Sequence, residues 1–235
     1  YRTRVNGRHI EPDVMFQKWK DSGDSGIAFT YSEPTVWQDY IVDVANLVKQ
    51  AGGWTVMVTN GFLTPEALDR LIPVVDAFNI DLKGGDQFYR RMCHGRLDPV
   101  VDSITRVARE RHLEVTSLLI DGVHRDEEID QLGNVLVEAG VQVWHISRFH
   151  PAFRMMDHPS TPESRLQETL DRVRSKFDIP FIYGGNSRQL EYQQTRCPRC
   201  DTLLIERSPF SLSRNHLEGD RCPECGTPVY GRFDE

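Results

Sequence analysis

Two pairs of cysteines near the end of the sequence have the spacing of metal ligands. The first pair lies in Cys197-Pro198-Arg199-Cys200 and the second in Cys222-Pro223-Glu224-Cys225, with 21 residues between the pairs. In each CxxC turn the two thiolates can point to the same side, so two turns supply a tetrahedral set of sulfurs. Because all four ligands come from the protein, the pattern predicts a closed, structural zinc site rather than a catalytic one.

Two other interpretations of this tail are weaker. Paired disulfides or four free thiols would fit the same residues, but no secretory signal is visible, and a reducing compartment disfavours disulfides. Residues 196–235 contain six Arg and seven Asp or Glu, so a nucleic-acid-binding ribbon is also disfavoured.

A second set of residues that could do chemistry follows the predicted strands. These residues offer a carboxylate that could bind an amine, cations that could bind a carboxylate, and backbone turns that could bind hydroxyl groups. They are Ser32, Glu33, Thr59, Asn60, Asp81, Lys83, Arg148 and His150. Since parallel strands end at the same edge of a sheet, we expect these groups to form one polar cup for a zwitterionic ligand.

Each of these residues also has a purely structural interpretation. Glu33 could stabilise a helix N-terminus, and Asn60 could belong to an ordinary turn. Asp81 and Lys83 share one strand face and could form an ion pair, and His150 could be a surface histidine.

The elements that must position these residues alternate along residues 1–190. Strand-like runs alternate with amphipathic helical patterns, which is typical of repeated βα units and a parallel sheet. The predicted strands are 26–31, 54–59, 78–82, 112–120, 142–148 and 179–183, and the predicted helices are 11–22, 35–51, 64–77, 98–111, 125–139 and 161–178. Thr64-Pro65-Glu66 and Thr161-Pro162-Glu163 each predict a threonine N-cap followed by proline in the first turn.

Composition narrows the function classes. Hydrophobic residues make up 39% and charged residues 27% of the 235, and the formal net charge is −7, with a pI of about 5.6. No apolar run is long enough for a membrane helix, and the acidic balance argues against a nucleic-acid or anionic-membrane partner.

The same residues resemble a known family. The segments that carry the resemblance run through most of the chain, in order: 28–35 (AFTYSEPT), 58–61 (VTNG), 79–83 (NIDLK), 88–93 (FYRRMC), 144–151 (WHISRFHP) and the two CxxC pairs. Together they resemble the radical S-adenosylmethionine (SAM) enzymes, and more narrowly the AmmeMemoRadiSam system radical SAM protein, a relative of pyruvate formate-lyase activating enzymes. The resemblance implies an α/β fold, a partial (β/α)6 barrel over residues 1–190, followed by a four-cysteine zinc ribbon over 191–235.

The resemblance also implies roles for individual residues. Glu33, in the Ser32-Glu33-Pro34 turn, would bind the methionyl amine of SAM. Thr59 and Asn60 would line the same cofactor, and Asp81 and Lys83 would lie at its ribose and carboxylate. His150 would lie near the adenosine, a role that His145 or Arg148 could share.

One departure from the family is large. Its members hold a [4Fe–4S] cluster with a CxxxCxxC motif, and this sequence has none. We expect the cluster loop, and the first strand, to lie upstream of Tyr1. Cys93 matches a family cysteine, but we expect it to be a small buried side chain.

Two functions follow. The first is a cytoplasmic radical SAM enzyme that forms a 5′-deoxyadenosyl radical and acts on an unidentified small molecule or protein, with an electron donor such as flavodoxin or ferredoxin. The second is a barrel without a cluster that uses the ribbon as a protein-binding or scaffold module.

Overall fold

Six parallel strands form the main sheet of the computed structural model, which describes residues 8–208 and 211–233. The strands follow the chain order β1-β2-β3-β4-β5-β6, so each new strand is added beside the previous one. They are β1 (Gly26–Phe29), β2 (Trp54–Thr59), β3 (Ala77–Asp81), β4 (His112–Leu119), β5 (Val143–Arg148) and β6 (Phe181–Gly185). All six carboxyl ends therefore lie at one edge of a partial barrel.

Helices connect successive strands and cover the outer face of the sheet. They are α1 (Pro12–Ser22), α2 (Gln38–Gln50), α3 (Pro65–Leu71), α4 (Asp86–Phe88), α5 (Asp98–Glu110), α6 (Asp126–Glu138) and α7 (Glu163–Lys176). A 3-10 turn, Pro34–Trp37, precedes α2, and a π-helical turn, Tyr89–Cys93, follows α4.

Alternation along each strand separates the hydrophobic core from the inner face. In β4, Leu113, Val115 and Leu119 are buried in the core beneath the helices. The residues that alternate with them, His112, Glu114 and Thr116, are only half-buried. Because strand side chains alternate between faces, the inner surface of the partial barrel is polar at β4.

The predicted α/β architecture is confirmed. Each predicted strand is present, although β6 extends to Gly185, two residues beyond the expected end. Trp144 is fully buried, and its indole N–H donates to the Ser117 hydroxyl at 3.0 Å, so the one polar atom of this large core side chain has a partner.

Of the two predicted threonine caps, one is confirmed and one is wrong. The Thr64 hydroxyl accepts a hydrogen bond from Ala67 N at 3.2 Å at the start of α3. The Thr161 side chain does not cap α7: its hydroxyl donates to Leu119 O at 2.6 Å and accepts from Asp121 N at 3.1 Å. Thr161 is fully buried, and the end of β4 supplies these polar groups in place of the helix.

The cysteine-rich tail forms a separate three-stranded antiparallel sheet, the ribbon: β7 (Thr195–Arg196), β8 (Leu203–Ser208) and β9 (Ser211–Asn215). Leu204 and Val229 of this tail pack with Val143 and Phe181, at the amino ends of β5 and β6. The ribbon thus covers the inner face of the main sheet at that end. The predicted division at residue 190 falls at a 3-10 turn, Leu190–Gln193, and remains a prediction.

Within the described residues, no helix has both the length and the hydropathy required to cross a membrane.

Asp76 carries the most extensively bonded buried carboxylate of the core, and its loss should destabilise the fold. It bonds the Lys49 ammonium, and it accepts from Thr55 N at 3.0 Å and the Thr55 hydroxyl at 2.9 Å. Burial alone would raise the pKa of Asp76, but these bonds outweigh burial and lower it. We predict that Asp76→Asn lowers the free energy of unfolding by about 2 kcal/mol at neutral pH, measured by urea denaturation.

The pH dependence follows from the lowered pKa. The stabilisation is complete above the ordinary pKa of aspartate and is lost as the pH falls through the lower native-state pKa. The difference between wild type and Asp76→Asn should therefore shrink in acid. Asp69→Asn, which removes an exposed ion pair with Arg106, is the control and should cost less than about 1 kcal/mol. Equal effects of the two variants would contradict the prediction.

Candidate functional site

Glu33 connects the loop after β1 to the end of β2. It precedes the 3-10 turn, and its Oε1 accepts from the Thr59 hydroxyl at 2.6 Å and from Thr35 N at 3.3 Å. Its Oε2 accepts from Asn60 N at 2.8 Å. Three of the four residues predicted at these two strand ends, Glu33, Thr59 and Asn60, are therefore in direct contact. Ser32, the fourth, is exposed beside them.

The hydrogen-bonding capacity left at these groups determines what they can bind. A carboxylate has about four acceptor positions, and Glu33 uses three of them, which leaves one on Oε2. Thr59 is 2% exposed, and its hydroxyl also accepts from Gly61 N at 3.2 Å, so it positions Glu33. The Asn60 side-chain oxygen accepts from Phe62 N at 2.8 Å, which leaves its amide N–H groups for a ligand.

Asp81 and Lys83 lie at the end of the next strand. The Lys83 ammonium is 2.6 Å from an Asp81 carboxylate oxygen, as the ion-pair interpretation expected. The Tyr89 hydroxyl supports this strand end, since it accepts from Lys83 N at 3.2 Å and donates to Asp81 O at 3.3 Å. Burial raises the pKa of Tyr89 to about 12, so the hydroxyl keeps its proton.

Arg148 and His150 form a separate group at β5 and β6. The Arg148 guanidinium donates to Thr161 O at 2.7 Å and is paired with Glu163 at the start of α7. The exposed His150 is 3.3 Å through Nδ1 from the Ser160 hydroxyl, and 3.3 Å through Nε2 from Asn186 O. His150 is thus the more available of the two for a ligand.

The structure therefore distributes the predicted site residues over three strand-end groups at one edge of the sheet. Glu33, Thr59 and Asn60 are bonded to one another, Asp81 pairs with Lys83, and the β5–β6 group holds Arg148 and His150. The backbone at this edge is unusual, because several residues without glycine's freedom adopt positive φ: Tyr31 at 75°, His94 at 54°, Phe153 at 50° and Asn186 at 54°. Such strain is common where loops are held for function.

A polar cluster on the inner face of the sheet was missed by the sequence analysis. His145 lies here, away from the strand ends, with its Nε2 2.7 Å from Glu114 Oε2. His112 Nε2 lies 3.4 Å from Glu114 Oε1. Burial alone would raise the pKa of Glu114, but the two imidazoles outweigh burial and lower it strongly. The alternation of polar residues along β4 is the sequence signal for this cluster, whereas the predicted site residues all lie at the strand ends.

A cavity of about 630 Å³ separates this cluster from the ribbon. We call it the sheet–ribbon cavity; its walls include Glu114, His145 and Tyr183 from the sheet and Arg207, Tyr230 and Arg232 from the tail. At one end, Tyr230 stacks on His112 with ring centroids 4.6 Å apart, and its hydroxyl accepts from Leu113 N at 2.8 Å. These contacts fix the C-terminal segment against the main sheet.

The four ribbon cysteines form a group that could hold a metal ion. Their sulfur atoms all lie within 4.8 Å of one another, with 3.5 Å between Cys197 and Cys225 and 3.6 Å between Cys200 and Cys222. Among the residues that the structure describes, this is the one group of three or more His, Cys, Asp or Glu side chains with suitable geometry.

The expectation that Cys93 is buried is wrong. Its side chain is exposed at the end of the π-helical turn, because the chain turns through the left-handed residue His94 immediately afterwards. Cys93 stands apart from the four ribbon cysteines, so it adds no ligand to their group.

Comparison of the sequence with known proteins identifies a family and a relative. The model of the radical SAM superfamily matches residues 2–136. The chain is 35% identical over 234 residues to the uncharacterized protein MJ0808 of Methanocaldococcus jannaschii, covering 94% of this chain and 68% of that protein.

Two solved structures share the fold. A domain of pyruvate-formate lyase-activating enzyme from Bacteroides vulgatus matches with a TM-score of 0.60 and 17% identity, over 69% of this chain and all of that domain. SuiB of Streptococcus suis, solved with bound S-adenosylmethionine, matches with a TM-score of 0.63 and 12% identity, over 79% of this chain and 46% of SuiB.

The sulfur geometry predicts one tightly held metal ion per chain. We expect the protein to bind one equivalent of zinc, and Cys222→Ser to lose it to a chelator at least about tenfold faster, because one thiolate ligand is gone. Metal analysis and a chromogenic chelator assay measure this. Cys93→Ser is the matched control and should retain the metal; equal loss from both variants would contradict the assignment.

Proposed function

The chain belongs to the radical SAM superfamily, and on this premise we propose that it is the S-adenosylmethionine-binding barrel of a radical SAM enzyme. The observation that carries the proposal is the Glu33 carboxylate, fixed by Thr59 and Asn60 at the carboxyl ends of β1 and β2 with one acceptor position left. In an enzyme of this superfamily, bound S-adenosylmethionine supplies a 5′-deoxyadenosyl radical that abstracts hydrogen from the substrate.

The chemistry of the residues fits this cofactor. The free acceptor position of Glu33 suits the methionyl ammonium, since a charge-assisted hydrogen bond to a carboxylate is strong. Asn60 offers amide N–H donors beside it. Lys83 suits the methionyl carboxylate and Asp81 the ribose hydroxyls, and both are partly exposed at the next strand end.

The remaining predicted residues have supporting roles in this proposal. Thr59 orients Glu33, Ser32 offers an exposed hydroxyl, and His150 faces the adenosine from the β5–β6 group. Arg148 holds the start of α7 through Glu163, so its contribution is to place His150 and Asn186.

The residues of this sequence do not fit a [4Fe–4S] cluster. Of the five cysteines, four form the ribbon group and Cys93 stands alone. These five cysteines thus leave no set of three thiolate ligands for a cluster. We propose that the complete enzyme carries such a set.

We further propose that the ribbon holds zinc, that the enzyme works in the cytoplasm, and that a flavodoxin or ferredoxin supplies its electrons. Four cysteines favour zinc because thiolates suit its tetrahedral coordination. The alternative function is that of a scaffold module, which the missing cluster ligands favour. A scaffold module would show no radical chemistry, whether or not it binds S-adenosylmethionine.

The proposal predicts that Glu33→Gln weakens S-adenosylmethionine binding by about tenfold or more, because the ion pair with the methionyl ammonium is lost. Isothermal titration calorimetry measures the dissociation constants, and thermal denaturation checks that the variant is folded. Glu110→Gln, an equal charge change at the far end of α5, is the control and should bind like wild type.

Two results would contradict the binding proposal: no measurable affinity in the folded wild type, or an equal loss in both variants.

A second experiment distinguishes the enzyme from the scaffold module. As an enzyme, the complete protein reconstituted with iron and sulfide should form 5′-deoxyadenosine when reduced with dithionite. Absence of both a cluster absorption band and that product would leave the scaffold role.

A further inference from the structure

The sheet–ribbon cavity lies next to the proposed cofactor site. Along β6 it extends to Gly185 and Asn186, at the carboxyl end of the strand. The Asn186 carbonyl oxygen is 3.3 Å from His150 Nε2, the group that faces the adenosine in the proposed function. A molecule in the cavity would therefore lie beside the strand ends where the cofactor is proposed to bind.

The size of the cavity suits a small molecule. Its volume of about 630 Å³ is within the range of about 300–1,000 Å³ that is typical of small-molecule sites. Tyr230, stacked on His112, lines the opposite end, beside the amino end of β4.

Among the residues that the structure describes, Glu114 supplies the one carboxylate of the cavity wall, and this carboxylate is already bonded. Glu114 directs Oε2 at His145 and Oε1 at His112, so both of its oxygens face an imidazole nitrogen. This arrangement reduces the repulsion that a second anion would meet, and it fixes the two imidazoles in the wall.

Two arginines of the tail, Arg207 and Arg232, also line the cavity. The Arg232 guanidinium lies over the Trp54 ring, with Cζ 5.1 Å from the ring centre. Arg207 lies over the Tyr183 ring, with Cζ 5.7 Å from the ring centre, and its NH1 donates to Gln193 O at 2.9 Å and the Thr195 hydroxyl at 2.7 Å. Among the described residues, no carboxylate lies within ion-pair distance of Arg207. Its side chain is thus held in place without an ion-pair partner in the described part of the chain.

We propose that the sheet–ribbon cavity binds the substrate of this enzyme, and that the substrate is a small organic anion whose carboxylate or phosphate is bound by Arg207. Tyr183 and Tyr230, one from each wall, offer aromatic surface for contact with the body of the substrate. That the cavity is a substrate site rests on the proposed function. That it prefers an anion rests on the charges of its wall.

Ligand binding to the whole chain tests this proposal with simple probes. The probes are 4-hydroxybenzoate and phenyl phosphate, with the neutral 4-hydroxybenzamide as the matched comparison. Titrations followed by NMR should give dissociation constants for at least one of the two anions about tenfold or more below that of the amide, with shifts in the ring signals of Tyr183 and His145.

Variants then locate the anion site. Arg207→Gln should weaken anion binding about tenfold and leave amide binding unchanged, because one charge-assisted hydrogen bond is lost. Arg207→Lys keeps the charge and should retain part of the affinity, which covers the case in which the glutamine variant fails to fold. Arg214→Gln, an equal charge change on exposed β9, is the control.

The outcomes distinguish this proposal from the proposed function. Failure of both anions to bind, equal binding of the amide, or an equal loss with Arg214→Gln would overturn the anion site. S-adenosylmethionine affinity is measured in the same samples and should not change with Arg207→Gln. Absence of S-adenosylmethionine binding by the wild type would refute the proposed function. The measurement of anion binding is independent of that result.

Discussion

The candidate site depends on the hydrogen bonds of the Glu33 carboxylate. This carboxylate is bonded to Thr59, Asn60 and Thr35, so it fixes the loop after β1 against the end of β2. This is possible because β1 and β2 are neighbours in register, with Phe29 opposite Met57, and both end at the same edge of the sheet. A carboxylate held by three hydrogen bonds has little conformational freedom left to lose when it binds a ligand, and this preorganisation favours affinity.

The ribbon carries the four cysteines that could hold a metal ion, and it also forms a wall of the partial barrel. Cys197 and Cys222 are buried with Val143 and Phe181 of the main sheet, so the metal-binding turns are packed directly on β5 and β6. Metal affinity contributes to the folding free energy of such a small unit. The same unit supplies Arg207 and Tyr230 to the sheet–ribbon cavity, so a metal ion held by the four cysteines would stabilise a wall of that cavity without lining it.

Much of the fold could be predicted because it depends on local patterns. Hydrophobic runs identified all six strands, and Thr64 capped α3 as expected. Thr161 has the same Thr-Pro-Glu sequence, but its burial beside the end of β4 gave its hydroxyl different partners, which no local pattern encodes. The contact between Glu33 and Thr59 required only the order of parallel strands. To predict the cluster around Glu114, one must know the side-chain direction within a strand and the position of the ribbon. The position of the ribbon depends on tertiary packing.

A crystal structure of the chain with S-adenosylmethionine would show whether Glu33 binds this cofactor. We predict that the methionyl ammonium lies within hydrogen-bond distance of Glu33 Oε2, and that the methionyl carboxylate lies next to Lys83. Density for the ligand at another place on the chain, with Glu33 bonded only to its protein partners, would contradict this prediction.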